Sequence, residues 1–444
     1  MRLPAGEREA WIVVDLGFGD QGKGSVTDFL VRDRRAHTVV RYNGGAQAAH
    51  NVVTDDGRHH TFAQFGAGSF VPGVRTVLAS RVAIQPWAML VEAEHLARVG
   101  VRDAFERTVI AADCVVVTPF HRATHRLREL ARGAARHGSC GVGVGEAVAD
   151  ARAGKPTIRA RDLFDPPRLL RLLREVQAHK AAEVAALAPP AAGDVDAAVA
   201  HAELADRWMP DVASGLLAAF RQRARVVEPD ALGAVFAAPG AVVFEGAHGV
   251  LLDEDHGFHP YTTWSSCTDR QARDLLTAHA FDGDVRRLGI VRAYATRHGP
   301  GPFPTADASL VVADPHNALD RWQGAFRVGW FDAVATRYAI AANGGVDGLA
   351  VTCLDRLPAE RPWSIADAYS MGGDHLADLP LGGDLDAQAE LGRRLELAIP
   401  DYVSVAPERE SLLAAIAART APIVLTSDGP TAAAKRWCSP PIGA

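Results

Sequence analysis

The segment WIVVDLGFGDQGKGSVTDFL, Trp11–Leu30, holds the densest collection of residues able to do chemistry. An apolar run ends at Leu16. Gly17, Gly19, Gly22 and Gly24 follow, with Lys23 among them, and a helical pattern starts near Ser25. Glycines let backbone N–H groups converge on a polyanion at a helix N-terminus, where the dipole also favours negative charge. Lys23 supplies countercharge. The arrangement approaches the Gly-x-x-x-x-Gly-Lys phosphate loop, with Gly24 where that loop has Ser or Thr and Ser25 one place later. Gly19, Gln21, Gly22, Gly24 and Ser25 are therefore candidate nucleotide-binding residues. Asp20 lies inside the same loop. An acid among phosphates is repelled unless it holds a metal or takes a proton, so its presence points to catalysis. A second loop, RYNGGAQAAHNVV, carries the turn Gly44–Gly45 and then His50. A lone histidine is more often structural, but its order after the acid-bearing loop fits an acid/base pair beside a transferring phosphoryl group. Asp20, His50 and Lys23 are the candidate catalytic residues.

Such loops need strands to hold them. Short β-branched runs at Trp11–Leu16, Thr38–Tyr42, Arg75–Ala79, Thr108–Val117, Ala241–Phe244, Leu288–Tyr294, Leu349–Cys353, Tyr402–Val405 and Pro422–Thr426 predict strands. Helical patterns follow many of them, at Gly24–Val31, Pro86–Val99, Arg122–Arg132, Phe331–Asn343 and Glu410–Ala418. This alternation predicts an α/β fold: a large, mostly parallel central sheet with helices on both faces. From about residue 169 to 224 the chain is rich in Ala, Leu, Glu and Arg, lacks strand signals and is broken by Pro189–Pro190. It reads as a helical insertion in a single domain spanning 1–444. A C-terminal extension, about 419–444, reads as a strand, a Ser-Asp-Gly-Pro turn and a short helix, a second possible nucleotide contact.

The chain has 444 residues, 48% of them hydrophobic, enough for a large buried core. A net charge of -6 gives no general attraction for nucleic acid or anionic lipid, so neither is expected as a partner and a phosphate ligand must be held locally. The five cysteines are scattered, without zinc or redox spacing. With no signal-peptide pattern and no spanning apolar run, a cytoplasmic location is expected.

The blocks GDQGKGS, RYNGGAQAAH, GSCGVGVG, VVFEGAHGVLLDEDHGFHP, GIVRAYATRHGPGPFPT, GWFDAVATRYA and YVSVAPER occur in the order seen in the adenylosuccinate synthetase family, from Trp11 to about Arg409. The chain resembles that family over nearly its whole length. The resemblance implies a homodimeric C–N bond-forming ligase with GTP and Mg²⁺ as cofactors and IMP and L-aspartate as substrates. It implies that Asp20 is the base and a Mg²⁺ ligand, that the Ala49 carbonyl is a second ligand, that His50 meets phosphates and oxyanion, and that Lys23 neutralises phosphate charge. It places Gln47, Ser139, Cys140, His248 and Thr263 at the nucleotide substrate, Arg152 across the dimer, and Asp355, Ser404 and Pro407 at the guanine. Arg297, Arg321 and Arg327 are candidate anion clamps.

The departures from the family concentrate on ligand-facing positions. Gln47 stands for Asn, Cys140 for Thr, His248 for Gln, and Ala406 for Gly. The guanine-reading Thr-Lys-Leu-Asp is Thr352-Cys353-Leu354-Asp355 here, so ATP stands beside GTP as the triphosphate. Before GWFD, the loop that binds the aspartate carboxylates is replaced by ALDRWQGAFRV, which offers no Ser or Thr and inserts Trp322 and Phe326. A changed amine, or a changed oxo substrate in specialised metabolism, is the alternative to the ordinary purine enzyme. A non-catalytic nucleotide-binding protein is the other alternative, against which the retained Asp20 and His50 count.

Overall fold

The computed structural model describes residues 7–188, 193–314, 317, 321–357 and 361–443. Pro189–Pro190 and Leu319 lie outside them. Ten strands form the central sheet: β1 (Arg8–Asp15), β2 (Thr38–Arg41), β3 (Arg75–Leu78), β4 (Thr108–Ala111), β5 (Arg225–Val227), β6 (Gly240–Glu245), β7 (Asp284–Arg292), β8 (Gly348–Thr352), β9 (Ile423–Ser427) and β10 (Lys435–Ile442). Their spatial order is β10-β9-β8-β7-β1-β6-β2-β3-β4-β5. Every neighbouring pair is parallel except β9–β10.

β1 sits at the centre because both its faces are apolar. Ile12 and Val14 join the larger core on one face; Trp11 and Val13 join a second core on the other. Side chains alternate across a strand, so a continuous apolar run reads as a strand buried on both sides. The second core includes Val26, Phe29 and Leu30 of α1 (Lys23–Arg34), which crosses over from β1.

Most of the described residues of the stretch 169–224 lie in the helices Pro166–Ala185, Val195–Ala205, Met209–Leu216 and Ala218–Arg223. The Thr108–Val117 run is split into β4 and a short strand Val115–Val116. A helix was expected after the Ser-Asp-Gly-Pro turn, but only the 3-10 turn Ala432–Ala434 forms, followed by β10. The open edge of β9 offers ladder hydrogen bonds that so short a helix could not match. Strands missed by the pattern include the hairpin His50–Val53 with His59–Phe62 and the long Trp363–Met371, which pairs with Ile399–Val405 in a separate small sheet.

In a parallel sheet, all strand carboxyl ends open on one edge, where ligands bind. Here that edge receives the phosphate loop after β1, the Gly44–His50 loop after β2 and Gly246–Gly249 after β6. It also receives Ala293–His298 after β7, Cys353–Arg356 after β8 and Asp428–Thr431 after β9.

Candidate active site

A cleft on this edge encloses about 770 Å³ between its walls, including open solvent. One end is formed by Gly22, Lys23, Gly24, Ser25, Asp20, Ala49 and His50. The other is formed by Cys353, Asp355, Ser427, Gly429 and Pro430, with Arg292, Asp314 and Arg356 along the wall and Thr352 donating to the Gln21 carbonyl of the phosphate loop at 2.7 Å.

The phosphate-loop end is built by conformation. Gly22, at the N-cap of α1, has φ 96°, a left-handed value that a side chain would strain, and α1 has no side-chain cap. Its first N–H groups are therefore left for an anion. Gly24 permits close approach of the next loop: a Cβ there would lie 2.8 Å from the Asn51 carbonyl oxygen and 2.9 Å from the His50 backbone. Asp20 also adopts a positive φ, 58°.

Several partners were not visible in the sequence patterns. Asp15, at the end of β1, accepts from the amides of Gly17 (2.9 Å), Gly19 (3.3 Å) and Gln21 (3.2 Å) and pairs with Lys23 Nζ at 2.6 Å. The Lys23 charge thus has a buried partner inside the chain. His298 Nε2 lies 3.1 Å from Asp20 Oδ2. Burial alone would raise the Asp20 pKa, but the bond to His298 and the charges of Arg292 and Lys23 outweigh it and hold the carboxyl below its usual range. Asp20 is ionised at neutral pH and able to accept a proton or bind a cation. His50 Nδ1 lies 2.6 Å from Glu245 Oε1, and Glu245 also accepts from the Ala67 amide at 3.0 Å. Burial pushes the His50 pKa down to about 4, against the pull of Glu245. At neutral pH His50 donates Nδ1–H to the carboxylate, which leaves Nε2 as its other hydrogen-bonding atom. Glu245 and His298 lie inside the blocks FEGAHG and RHGPG, so proximity to those motifs was the available signal.

Not all the expected residues line this cleft. Gln21 turns inward: its Nε2 donates to the Gly19 carbonyl at 2.9 Å and its Oε1 accepts from the Arg292 amide at 2.6 Å. Gly19 is not part of the cleft lining either. Ser404 and Pro407 are displaced altogether, because Ile399–Val405 is hydrogen-bonded to Trp363–Met371 in the separate sheet. The spacing Ser-x-x-Pro recurs at Ser69–Pro72 and at Ser427–Pro430, and it is the last copy, Ser427 and Pro430, that β9 carries alongside β8 to face Asp355.

The remaining candidates lie around the cleft rather than in its lining. Gln47 Nε2 and His248 Nε2 are 3.1 Å apart, so the two replaced positions contact each other across the fold. His248 has φ 59°, and its pKa is pushed down to about 3 by burial and by the nearby charge of Lys23. Ser139 Oγ is bonded to His125 Nε2, and Cys140 follows it in a loop whose Gly141 faces the Trp322 ring. The Thr263 amide donates to the Leu252 carbonyl at 2.8 Å. Arg152 is at the surface, 2.8 Å from Glu254 of the same chain. Arg321 is exposed and paired with Asp196, so its charge is already met. Arg297 is buried over the Phe18 ring, 4.2 Å from its centroid, and donates to the carbonyls of Pro300 and Pro302. Arg327 stands opposite Arg297 in a two-stranded ladder and donates to the Gly301 carbonyl at 2.9 Å. Burial and the charge of Arg327 push the Arg297 pKa down to about 9.

Two hard oxygens, the Asp20 carboxylate and the Ala49 carbonyl, belong to the cleft wall and suit a Mg²⁺ ion shared with phosphates. A separate group, Asp150, His179 and Glu183, has metal-like proximity. Lys180 Nζ already fills the cation's place there, 2.7 Å from Asp150 and 2.8 Å from Glu183.

A sequence profile of the adenylosuccinate synthetase family matches residues 12–393. Adenylosuccinate synthetases from two Neisseria gonorrhoeae strains are 32% identical over 384 residues, covering 84% of this chain and 83% of theirs. The fully ligated adenylosuccinate synthetase from Plasmodium falciparum has the same fold, with TM-score 0.78 and 19% identity over 96% of this chain and 99% of that one. The succinoaminodeoxyadenylate synthetase of cyanophage S-2L, solved with dGMP and with dATP as an energy donor, aligns with TM-score 0.59 and 18% identity, covering 97% and 95%.

Proposed function

The chain belongs to the adenylosuccinate synthetase family of C–N bond-forming ligases, and on that premise we propose that it uses a nucleoside triphosphate to activate the oxo group of an IMP-like nucleotide for displacement by an amine. The observation carrying this reading is that Asp20, Lys23 and His50 line one cleft with Asp355 and the Ser427–Pro430 turn at its other end. On this reading the strand order gives the cleft a polarity, with β9 and β8 serving the base, β1 the phosphates, and β6 and β2 the oxo substrate.

In the first step Asp20, ionised at neutral pH, takes the ring N–H proton of the substrate. The 6-oxygen then attacks the γ-phosphorus, and the bond to the β-phosphate oxygen breaks to release the diphosphate. The open N-terminus of α1 and Lys23 hold the transferring charge, while Glu245 fixes the His50 ring against it. In the second step the amine attacks the phosphorylated carbon, and phosphate and a proton leave. Mg²⁺, held by Asp20 and the Ala49 carbonyl, supplies charge neutralisation to the phosphates when bound. GTP and ATP both remain open, since Asp355 keeps a carboxylate for a guanine edge while Cys353 replaces the base-packing lysine.

The amine is other than L-aspartate. A dicarboxylate needs charge-assisted partners for both its groups. Arg321 is tied to Asp196, Arg297 is engaged by two carbonyls, and Trp322 packs against Gly141 and the Arg126 guanidinium, 5.2 Å from its ring centre. Arg327 donates to one carbonyl, that of Gly301, and leaves its Nε without a partner among the described residues, so with its apolar neighbours it suits an anion with one carboxylate. Phosphate release with IMP, Mg²⁺, GTP or ATP and a panel of amines tests this. Efficient adenylosuccinate formation at sub-millimolar aspartate refutes the changed amine. No phosphate release with any combination refutes the ligase reading.

A further inference from the structure

The base end of the cleft is supported from behind by the last strand of the chain. Lys435 opens β10 opposite Ser427 of β9. Its side chain is buried, and its ammonium donates to the carbonyls of Thr431 at 2.9 Å and Gly429 at 3.3 Å. Ser427 Oγ donates to the same Gly429 carbonyl at 3.0 Å. The turn that presents Ser427, Gly429 and Pro430 to the cleft is therefore held by two side-chain donors, one of them charged. Burial pushes the Lys435 pKa down to about 8, against the charges of Asp28 and Asp355.

β10 is itself fixed. The Trp437 ring packs 5.4 Å from Trp11 and 5.7 Å from Phe29, with Arg34 4.8 Å away and an indole bond to Asp33 at 3.0 Å. Phe29, Asp33 and Arg34 belong to α1, the helix that starts at the phosphate loop. The base end and the phosphate end of the cleft thus share one support. Neither β9 nor β10 falls within the stretch matched to the family, which ends at residue 393. The ladder between them is made by backbone groups, so removing the Lys435 ammonium spares the strands and leaves the turn held only by Ser427 Oγ and the backbone bonds from Asp428 to Ala434 and from Ala434 to Thr431.

We propose that Lys435 is a positioning residue for base recognition, holding the Ser427–Thr431 turn in the shape that receives the nucleobase of the triphosphate. This rests on the reading of the cleft as a nucleoside triphosphate site.

The test compares wild type, Lys435→Met and Lys435→Gln in Mg²⁺ by calorimetric titration. The probes are non-hydrolysable analogues of GTP and ATP, and inorganic tripolyphosphate, which engages the loop but has no base. Loss of a charged hydrogen bond that shapes the site weakens nucleotide binding of Lys435→Met about tenfold or more. Tripolyphosphate binding is unchanged, and Lys435→Gln, which keeps one neutral donor, falls between. If Lys435→Met does not fold, Lys435→Gln decides alone. Unchanged nucleotide affinity in the folded variants overturns the proposal, as does an equal loss for tripolyphosphate, which marks a general structural role. A wild type that binds neither nucleotide overturns the triphosphate site itself, and this inference with it.

Discussion

Glu245→Gln isolates the part played by a residue that no motif assigned. The carboxylate is fully buried at the end of β6, 2.6 Å from His50 Nδ1 and 3.0 Å from the Ala67 amide, with Arg41 Nε at 4.0 Å. Glutamine keeps the shape but carries one acceptor where two N–H groups converge. Either the Ala67 amide or the His50 Nδ1–H loses its acceptor, or the imidazole changes tautomer. Losing a hydrogen bond to a charged group costs about 1.5–3 kcal/mol. Breaking a buried ion pair from one side costs about 3–5 kcal/mol, and the long contact with Arg41 places this one at the lower bound. The two overlap on one carboxylate, so the expected loss is about 3 kcal/mol, read as a lower urea midpoint. Turnover per folded molecule should also fall, by about 10²–10⁴, because His50 no longer holds the tautomer its partner imposed. Phosphate release normalised to the folded fraction separates the two effects. Reduced stability with unchanged normalised turnover would make the Glu245–His50 pair purely structural and refute the reasoning.

Asp20→Asn should fold and still bind triphosphate, yet lose about 10²–10⁴ in turnover, since an amide accepts no proton; near-normal phosphate release ends the proposed role. The buried histidines predict a pH dependence of stability. His50 and His125 are held at about 4 and His248 at about 3, each chiefly by burial, against 6.5 when unperturbed. Between 6.5 and those values the unfolded chain binds more protons than the folded one. Their stabilisation is therefore complete above pH 6.5 and is lost as pH falls toward 4, by on the order of 3 kcal/mol per residue at about 1.36 per pKa unit. Urea melts at several pH values across that window check it, and a midpoint independent of pH refutes it.

The central sheet was legible because its strands are buried on both faces. Trp11–Leu16, Ala241–Phe244 and Leu349–Cys353 read as apolar runs, and each is a strand within three residues of its expected ends. The strands of the small sheet were less legible. Trp363–Met371 mixes buried and half-buried positions and Ile399–Val405 buried and exposed ones, and the latter mimicked a nucleotide contact through its Ser-x-x-Pro spacing.

Local chemistry, by itself, determined the phosphate loop. Glycine freedom, a lysine and an acid within a few residues act through backbone conformation, and Asp20, Lys23 and His50 do meet in one cleft. What supports those residues was decided only by the tertiary structure. Asp15 reaches Lys23 over 8 positions, Glu245 reaches His50 over 195, and His248 meets Gln47 over 201. The first pairing is local to one strand–loop–helix unit, whereas the two long-range ones follow from the order of strands in the sheet, and strand order is set by packing the whole chain. The same cause keeps Ser404–Pro407 out of the cleft and brings Ser427–Pro430 into it: the two segments share their spacing, and only the one on the strand beside β8 is carried to Asp355.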